Sequence, residues 1–215
     1  MPRTSRAAHW DNVYATKSEN EVSWFQENPA PSLDLFAKAG ATPASSIIDI
    51  GGGASRLVDC LIDQGFRHVT VLDLSETALT VTKLRLGERA TRIHWIAADV
   101  TNWEPSESYD LWHDRAAFHF LTEAHDRAAY VVRLKRALKQ GGHAIIASFA
   151  LTGPERCSGL PVMRYDGEGL SDALGDAFEL IATEPHDHVT PWGSTQHFQF
   201  SLFRRRPDLA AQGQR

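Results

Sequence analysis

The pattern of apolar and polar positions changes character near residue 45. From there to residue 149, short apolar runs alternate with longer stretches in which apolar side chains recur every three or four positions. The runs at 46–50, 68–73, 92–97, 109–114 and 143–149 predict buried strands. Between them, Leu57, Val58, Leu61 and Ile62 share one face of a helix expected over 54–64, with Gly65 as its C-cap. A second helix is expected from the N-cap Ser75 to just before Gly87. A long one is expected from Thr122 to Gln140, with Val131, Leu134 and Leu138 on one face and Gly141-Gly142 closing it. Strand and helix in alternation form a βαβ series. The series predicts an α/β fold with a mostly parallel sheet covered by helices on both faces.

The two flanks read differently. Residues 1–44 form a helical arm, with a short helix over 9–14 and a second from Pro31 to Gly40. Trp10, Tyr14, Trp24 and Phe25 are many aromatics for a peripheral segment. They suit packing onto the domain, and they equally suit a lid over a ligand pocket. Toward the C-terminus, residues 150–165 are loop-like and Leu170 to Leu174 a short helix. Phe178–Glu184 and Gln196–Phe203 alternate as strands, and without a helix between them they are expected to be antiparallel. Residues 1–204 are expected to form one domain, and 205–215 a frayed tail.

Composition narrows the function classes. The chain has 215 residues, enough for one sizeable core. A formal charge of −5 argues against nucleic acid as a partner. Two distant cysteines, Cys60 and Cys157, suggest no disulfide framework and point to a reducing cytoplasm. No apolar run follows Met1-Pro2-Arg3, so no signal peptide is expected. No stretch is long and apolar enough to predict a membrane span.

Candidate chemistry begins where the first strand, Ile47-Ile48-Asp49-Ile50, breaks at Gly51-Gly52-Gly53. Glycines allow positive φ and let a ligand lie against the main chain. A helix starting near Ala54 would offer free N–H groups and a positive dipole end. About twenty residues on, the second strand ends in Asp73, the place where an acid accepts a pair of ribose hydroxyls. Together these predict a site for an adenosine-containing ligand. A nicotinamide dehydrogenase fits less well. Arg56 stands where the third glycine of its turn would fall, and Tyr130 is followed four residues on by Leu134 where such an enzyme has lysine.

Four motifs in order extend this reading: Ile48-Asp49-Ile50-Gly51-Gly52-Gly53, Leu72-Asp73-Leu74-Ser75, Ala98-Asp99-Val100 and Leu138-Lys139-Gln140-Gly141-Gly142. On these the chain resembles the class I S-adenosylmethionine-dependent methyltransferases over about residues 45–203, with Ser55 in place of the family's third spaced glycine. The resemblance implies a doubly wound, Rossmann-like sheet of seven strands, with an antiparallel last strand inserted between the fifth and sixth. It implies S-adenosylmethionine as cofactor. Asp49 would reach the methionine amino group, often through water. Gly51 and Gly53 would let the backbone pass close to the cofactor, Asp73 with Leu74 beside it would hold the ribose, and Asp99 and Val100 the adenine. Trp10, Tyr14 and Trp24 would close over it.

Methyl transfer needs an electron pair aligned with the methyl group in a dry site, and a base only if the nucleophile must lose a proton. The segment after the fourth strand, His113-Asp114-Arg115-Ala116-Ala117-Phe118-His119-Phe120, faces the transferred methyl in this family. His119 is the candidate base, and Arg115 the candidate partner of an acidic substrate group, with Asp114 beside it. His113, on the strand, reads as packed. Glu184, His186, Asp187, His188 and His197 cluster in sequence, with His186 and His188 in a loop bounded by Pro185 and Pro191; they read as lining the substrate mouth, and no metal is expected there. Cys157 reads as an inert loop thiol. The arm resembles that of small methyltransferases, which ranks a small-molecule acceptor first (a thiol, metalloid or carboxylic acid) and a protein lysine second. An inactive adenosyl-binding module is the remaining alternative.

Overall fold

Five runs of β-branched and aromatic residues pair side by side as β1 (Ser46–Ile50), β2 (His68–Asp73), β3 (Ile93–Ala97), β4 (Tyr109–Arg115) and β5 (Leu138–Phe149) in a computed structural model that describes residues 3–208. All of these pairings are parallel. A two-residue-strand hairpin, β6 (Arg156–Cys157) and β7 (Leu160–Pro161), follows, and then β8 (Phe178–Val189) and β9 (Thr195–Arg205). The sheet order is β3-β2-β1-β4-β5-β9-β8, with β9 antiparallel to both neighbours. This is the doubly wound, mostly parallel seven-stranded sheet that the sequence predicts.

Alternation along the strands feeds two cores. Ile47, Val69, Val71, Leu111 and Ile145 face one layer with α3 (Leu57–Asp63). Ile48, Ile50, Trp112 and Ile146 face the other with α5 (Ala124–Ala137) and α6 (Gly167–Leu174). Each fully buried side chain of this size contributes about 1.5–3 kcal/mol by leaving water. On the second face, Trp112 Nε1 donates to Tyr130 Oη at 2.8 Å, and that hydroxyl donates to Asp114 at 2.7 Å.

Several boundaries differ from the expected ones, each for a local reason. The helix after the glycines starts at Leu57 rather than Ala54, because Ser55 N donates to Gly52 O at 2.9 Å and Ser55 Oγ accepts from Leu57 N. The long helix stops at Ala137. Leu138 is already extended and pairs with Tyr109, with a register shift before Leu111. Residues 150–165 contain a hairpin whose turn residues Ser158 (φ +49°) and Gly159 (φ +77°) both lie in the left-handed region. Strand β8 continues through His186, Asp187 and His188, which therefore form no loop. Pro185 is tolerated there because β8 is the outermost strand of the sheet. β9 extends to Arg205, so the expected tail starts later, and residues 209–215 of it lie outside the described residues.

The arm consists of α1 (Arg3–Thr16), a short 3₁₀ turn at Glu19–Glu21, and α2 (Ala30–Lys38). Asp11 accepts from Ser75 Oγ at 2.7 Å and Thr77 N at 3.3 Å, beside the first turn of α4 (Glu76–Leu86). Glu19 pairs with both Arg56 and Arg85. The arm is thus tied to the elements that follow β1 and β2.

Tyr130→Phe leaves Trp112 Nε1 without a partner and removes one bond from Asp114. It is expected to lower the unfolding free energy by about 1–3 kcal/mol in urea titration, without changing the far-ultraviolet spectrum.

Candidate active site

The carboxyl ends of β1 to β5 and the amino end of the antiparallel β9 open under the arm into a cleft of about 910 Å³, its open mouth included. A second hollow of about 590 Å³ adjoins it. Tyr14, Trp24, Ile50, Gly51 and Arg115 line both. In an open parallel sheet this crevice is where ligands bind, at the point where strand order reverses around β1.

The glycine turn forms one wall. Gly51 has φ +68°, and a Cβ there would sit 3.0 Å from the Ala117 methyl. Gly53 itself lines neither hollow, though Gly52 and Ala54 beside it line the second. A Cβ on it would lie 2.6 Å from both Ala78 Cβ and Asp73 Oδ2, so glycine is needed there for packing. The helix dipole expected behind the turn is also reduced, since α3 has only seven residues.

Asp49 is buried and accepts from His113 Nδ1 at 2.7 Å, while His113 Nε2 meets Ser32 Oγ at 2.8 Å. Because a carboxylate can only accept, Nδ1 carries a proton. This chain fixes Asp49 and leaves its Oδ2 buried without a partner at the second hollow. His113 is packed, as its place on the strand suggests.

Asp73 accepts Gly53 N at 2.9 Å and Ser75 N at 2.7 Å, one on each oxygen, and its carboxylate lines the main cleft. Burial, with Asp49 and Asp11 nearby, pushes its pKa up to about 6 despite those two bonds. Asp99 receives Thr101 N and Oγ1 on Oδ1. Its Oδ2 has no hydrogen-bond partner and lies 3.6 Å from Arg6 Nη2 on the arm. Leu74, Ala98 and Val100 line the same end. Trp10, Tyr14 and Trp24 all line the cleft, with Trp10 edge-on to Trp24 at 5.6 Å and to Phe120 at 5.0 Å. The arm therefore both packs and roofs the pocket. Burial pushes the Tyr14 hydroxyl up, so it stays protonated.

The segment after β4 divides sharply. Asp114 does not reach the cleft. It is fully buried, accepts Ala117 N, Phe118 N and Tyr130 Oη, and so holds the turn together. His119 is not available as a base. It is fully buried between the Phe120 and Phe149 rings, and burial with nearby Arg115 pushes its pKa down to about 3. Both candidate roles are corrected by the same feature: Ala116, at φ +70°, swings the chain so that Arg115, Ala116, Ala117 and Phe120 meet the cleft while their neighbours turn inward. Arg115 Nη1 donates to Trp24 O at 2.8 Å, and its guanidinium lies 5.1 Å over the Phe198 ring.

His186 and His188 line neither hollow. His188 donates through Nε2 to Ser23 O at 2.7 Å and is pushed down to about 4 by burial and Arg115, which keeps it neutral. Cys157 does line the cleft, and its thiol is pushed up to about 11 by burial. Arg6, Ser32 and Gln196 also belong to the site and carry no motif. Their only sequence signals are periodic, since Arg6 lies one helical turn before Trp10 and Gln196 two residues before Phe198.

The family described as a methyltransferase domain matches residues 47–142. The malonyl-[acyl-carrier protein] O-methyltransferase of Paenibacillus sp. (strain JDR-2) is 32% identical over 166 residues, covering 74% of this chain and 54% of that protein. The chain belongs to the class I S-adenosylmethionine-dependent methyltransferases. The chain spans about half the length of that relative. It is also 26% identical over 194 residues to EEF1A lysine methyltransferase 2 of Mus musculus, covering 82% of this chain and 73% of that one. Its fold matches the crystal structure of the Burkholderia thailandensis 1,6-didemethyltoxoflavin-N1-methyltransferase with bound S-adenosylhomocysteine. The TM-score is 0.66 at 20% identity, over 95% and 85% of the two chains. Membership makes S-adenosylmethionine the cofactor. The residues present fit it: two buried carboxylate oxygens on residues that line the hollows, Asp49 Oδ2 and Asp99 Oδ2 (the second 3.6 Å from Arg6 Nη2), have no hydrogen-bond partner, and an ammonium and an exocyclic amine can donate to them. Among the described residues no helix is long and apolar enough to cross a membrane.

Gly53→Ala forces a methyl group against Asp73 and Ala78 and is expected to destabilise the protein by about 1–3 kcal/mol in urea unfolding.

Proposed function

We propose that the protein transfers a methyl group from S-adenosylmethionine to a small-molecule acceptor. The observation that carries this reading is the cleft roofed by Trp10, Tyr14 and Trp24, which has Asp73 and Asp99 with Arg6 at one end and mostly apolar and uncharged groups with Arg115 at the other. S-adenosylmethionine supplies a sulfonium methyl group to an incoming electron pair. In this reading Asp49 accepts from the methionine ammonium, and its His113–Ser32 support keeps the carboxylate aimed. Gly51 gives the backbone its close approach, Asp73 accepts both ribose hydroxyls between Leu74 and the glycine turn, and Asp99 accepts the adenine amine beside Val100. The arm aromatics exclude water from the reacting atoms, and the rest of the acceleration is positioning.

No base is assigned. With His119 and Asp114 turned inward, an acceptor that is already an anion, or a neutral lone pair, suits the cleft. The small size of the roofed space supports a small acceptor. The likeness to a lysine methyltransferase keeps a protein lysine as the second reading, and methyl uptake by a lysine-bearing protein but by no small molecule would favour it. The unpaired Cys60 and Cys157 support a cytoplasmic setting.

Asp73→Ala is expected to weaken S-adenosylhomocysteine binding at least about a hundredfold in calorimetry, and near-normal affinity would refute the assignment. Trp10→Ala should loosen binding or slow turnover with the fold intact. The pH dependence has a definite sign. Protonation removes acceptor capacity from Asp73, whose pKa is pushed up to about 6. Affinity is therefore expected to be flat above neutrality and to fall toward about tenfold per pH unit on the acid side of that value.

A further inference from the structure

Arg115 holds the one guanidinium shared by both hollows. Only its Nη1 is used, on the Trp24 carbonyl. Nε and Nη2 are shielded from solvent and have no partner. These two nitrogens carry the parallel pair of N–H bonds on one edge of the guanidinium, the edge that matches both oxygens of a carboxylate. Among the described residues, no carboxylate lies within ion-pair distance of it. Burial lowers its pKa to about 10, which still leaves it charged at neutral pH. A buried cation with a complete unused donor fork is costly unless an anion arrives to meet it.

The position identifies whose anion. Asp73 ends β2, Asp99 follows β3 and Asp49 is on β1, so the cofactor side runs from β1 toward β3. Arg115 ends β4; it shares the second hollow with Asp49, and its guanidinium lies over Phe198 of β9 and near Cys157 of the hairpin, in the main cleft. Gln196, also of β9, presents a second buried oxygen without a partner. This half of the cleft is left for the acceptor.

We infer that Arg115 is the anchor for a carboxylate on the methyl acceptor, so that the acceptor is a small organic acid held through the Nε and Nη2 edge. The inference rests on the methyltransferase reading and deepens it. A carboxylate that accepts from the guanidinium on both oxygens is a poorer nucleophile, so the methylated atom is another nucleophile of the same molecule. That atom forms the new bond to carbon as the carbon–sulfur bond breaks, and the bonding pair leaves on sulfur as the neutral thioether.

The test uses the full chain saturated with S-adenosylhomocysteine and titrated with paired probes: acetate, malonate, succinate, benzoate and phenylacetate, each against its amide. At least one acid is expected to bind with a Kd of about 1 mM or tighter, and its amide at least about tenfold more weakly. Arg115→Lys and Arg115→Gln should lose that preference while S-adenosylhomocysteine affinity changes by less than about threefold. The acid–amide comparison in the unaltered protein stands even if a variant fails to fold. Equal binding of acids and amides, or no binding by any acid, overturns the inference. So does a loss of S-adenosylhomocysteine affinity in the variants with acid binding unchanged, which would give Arg115 to the cofactor's own carboxylate. If S-adenosylhomocysteine does not bind at all, the methyltransferase reading fails instead. The same titrations on the free protein then decide the anchor alone, since an acid preference lost in Arg115→Lys upholds it and its absence overturns it.

Discussion

One buried carboxylate holds the working end of this protein together. Asp73 closes β2 and takes the Gly53 amide on one oxygen and the Ser75 amide on the other. The first bond pins the glycine turn at the end of β1. The second sets the start of α4, where Ser75 Oγ accepts from Ala78 N and donates to Asp11. Thr82 of α4 reaches back to Gly53 O at 2.5 Å. A side chain on residue 53 would occupy the space that the carboxylate needs, so the missing Cβ and the acid are one feature. The turn, the helix start and the arm all take their position from it.

The parts of the site that were legible in the sequence are those with local signals. A strand end followed by glycines, or by an acid at a set distance, places Asp49, Gly51, Asp73 and Asp99 because a parallel sheet brings strand ends to one edge whatever the loops do. The place of the last strand in the sheet came with the family resemblance rather than from a local signal. The acceptor side was not legible. Asp114, Arg115 and His119 are close in sequence, yet which of them meets the cleft depends on one backbone torsion, at Ala116, and on the Tyr130 hydroxyl arriving from α5. Nothing in residue type announces either. Element ends failed where side chains compete with the backbone, as Ser55 does, or where strand pairing overrides a helical pattern, as it does from Leu138. The Ser158-Gly159 turn is a hairpin signal, but its two-residue strands are too short to show alternation.

The cleft is electrically uneven. Its β1–β3 half carries Asp49, Asp73 and Asp99, and its β4–β9 half carries Arg115. Burial shifts Asp73 and Arg115 in opposite directions, each toward its neutral form. Groups displaced in this way gain most from a ligand that brings the matching donor or charge, and they discriminate against one that does not. Phe149, Phe198 and Phe120 between them offer shape without polarity.

The attachments of the arm have a consequence for assembly. Asp11 is 64 positions from Ser75, and Glu19 is 37 from Arg56 and 66 from Arg85. Every fastening therefore reaches forward along the chain, to residues made after it. During synthesis the arm is therefore made before the surface it rests on. Until α4 exists, its tryptophans have no seat.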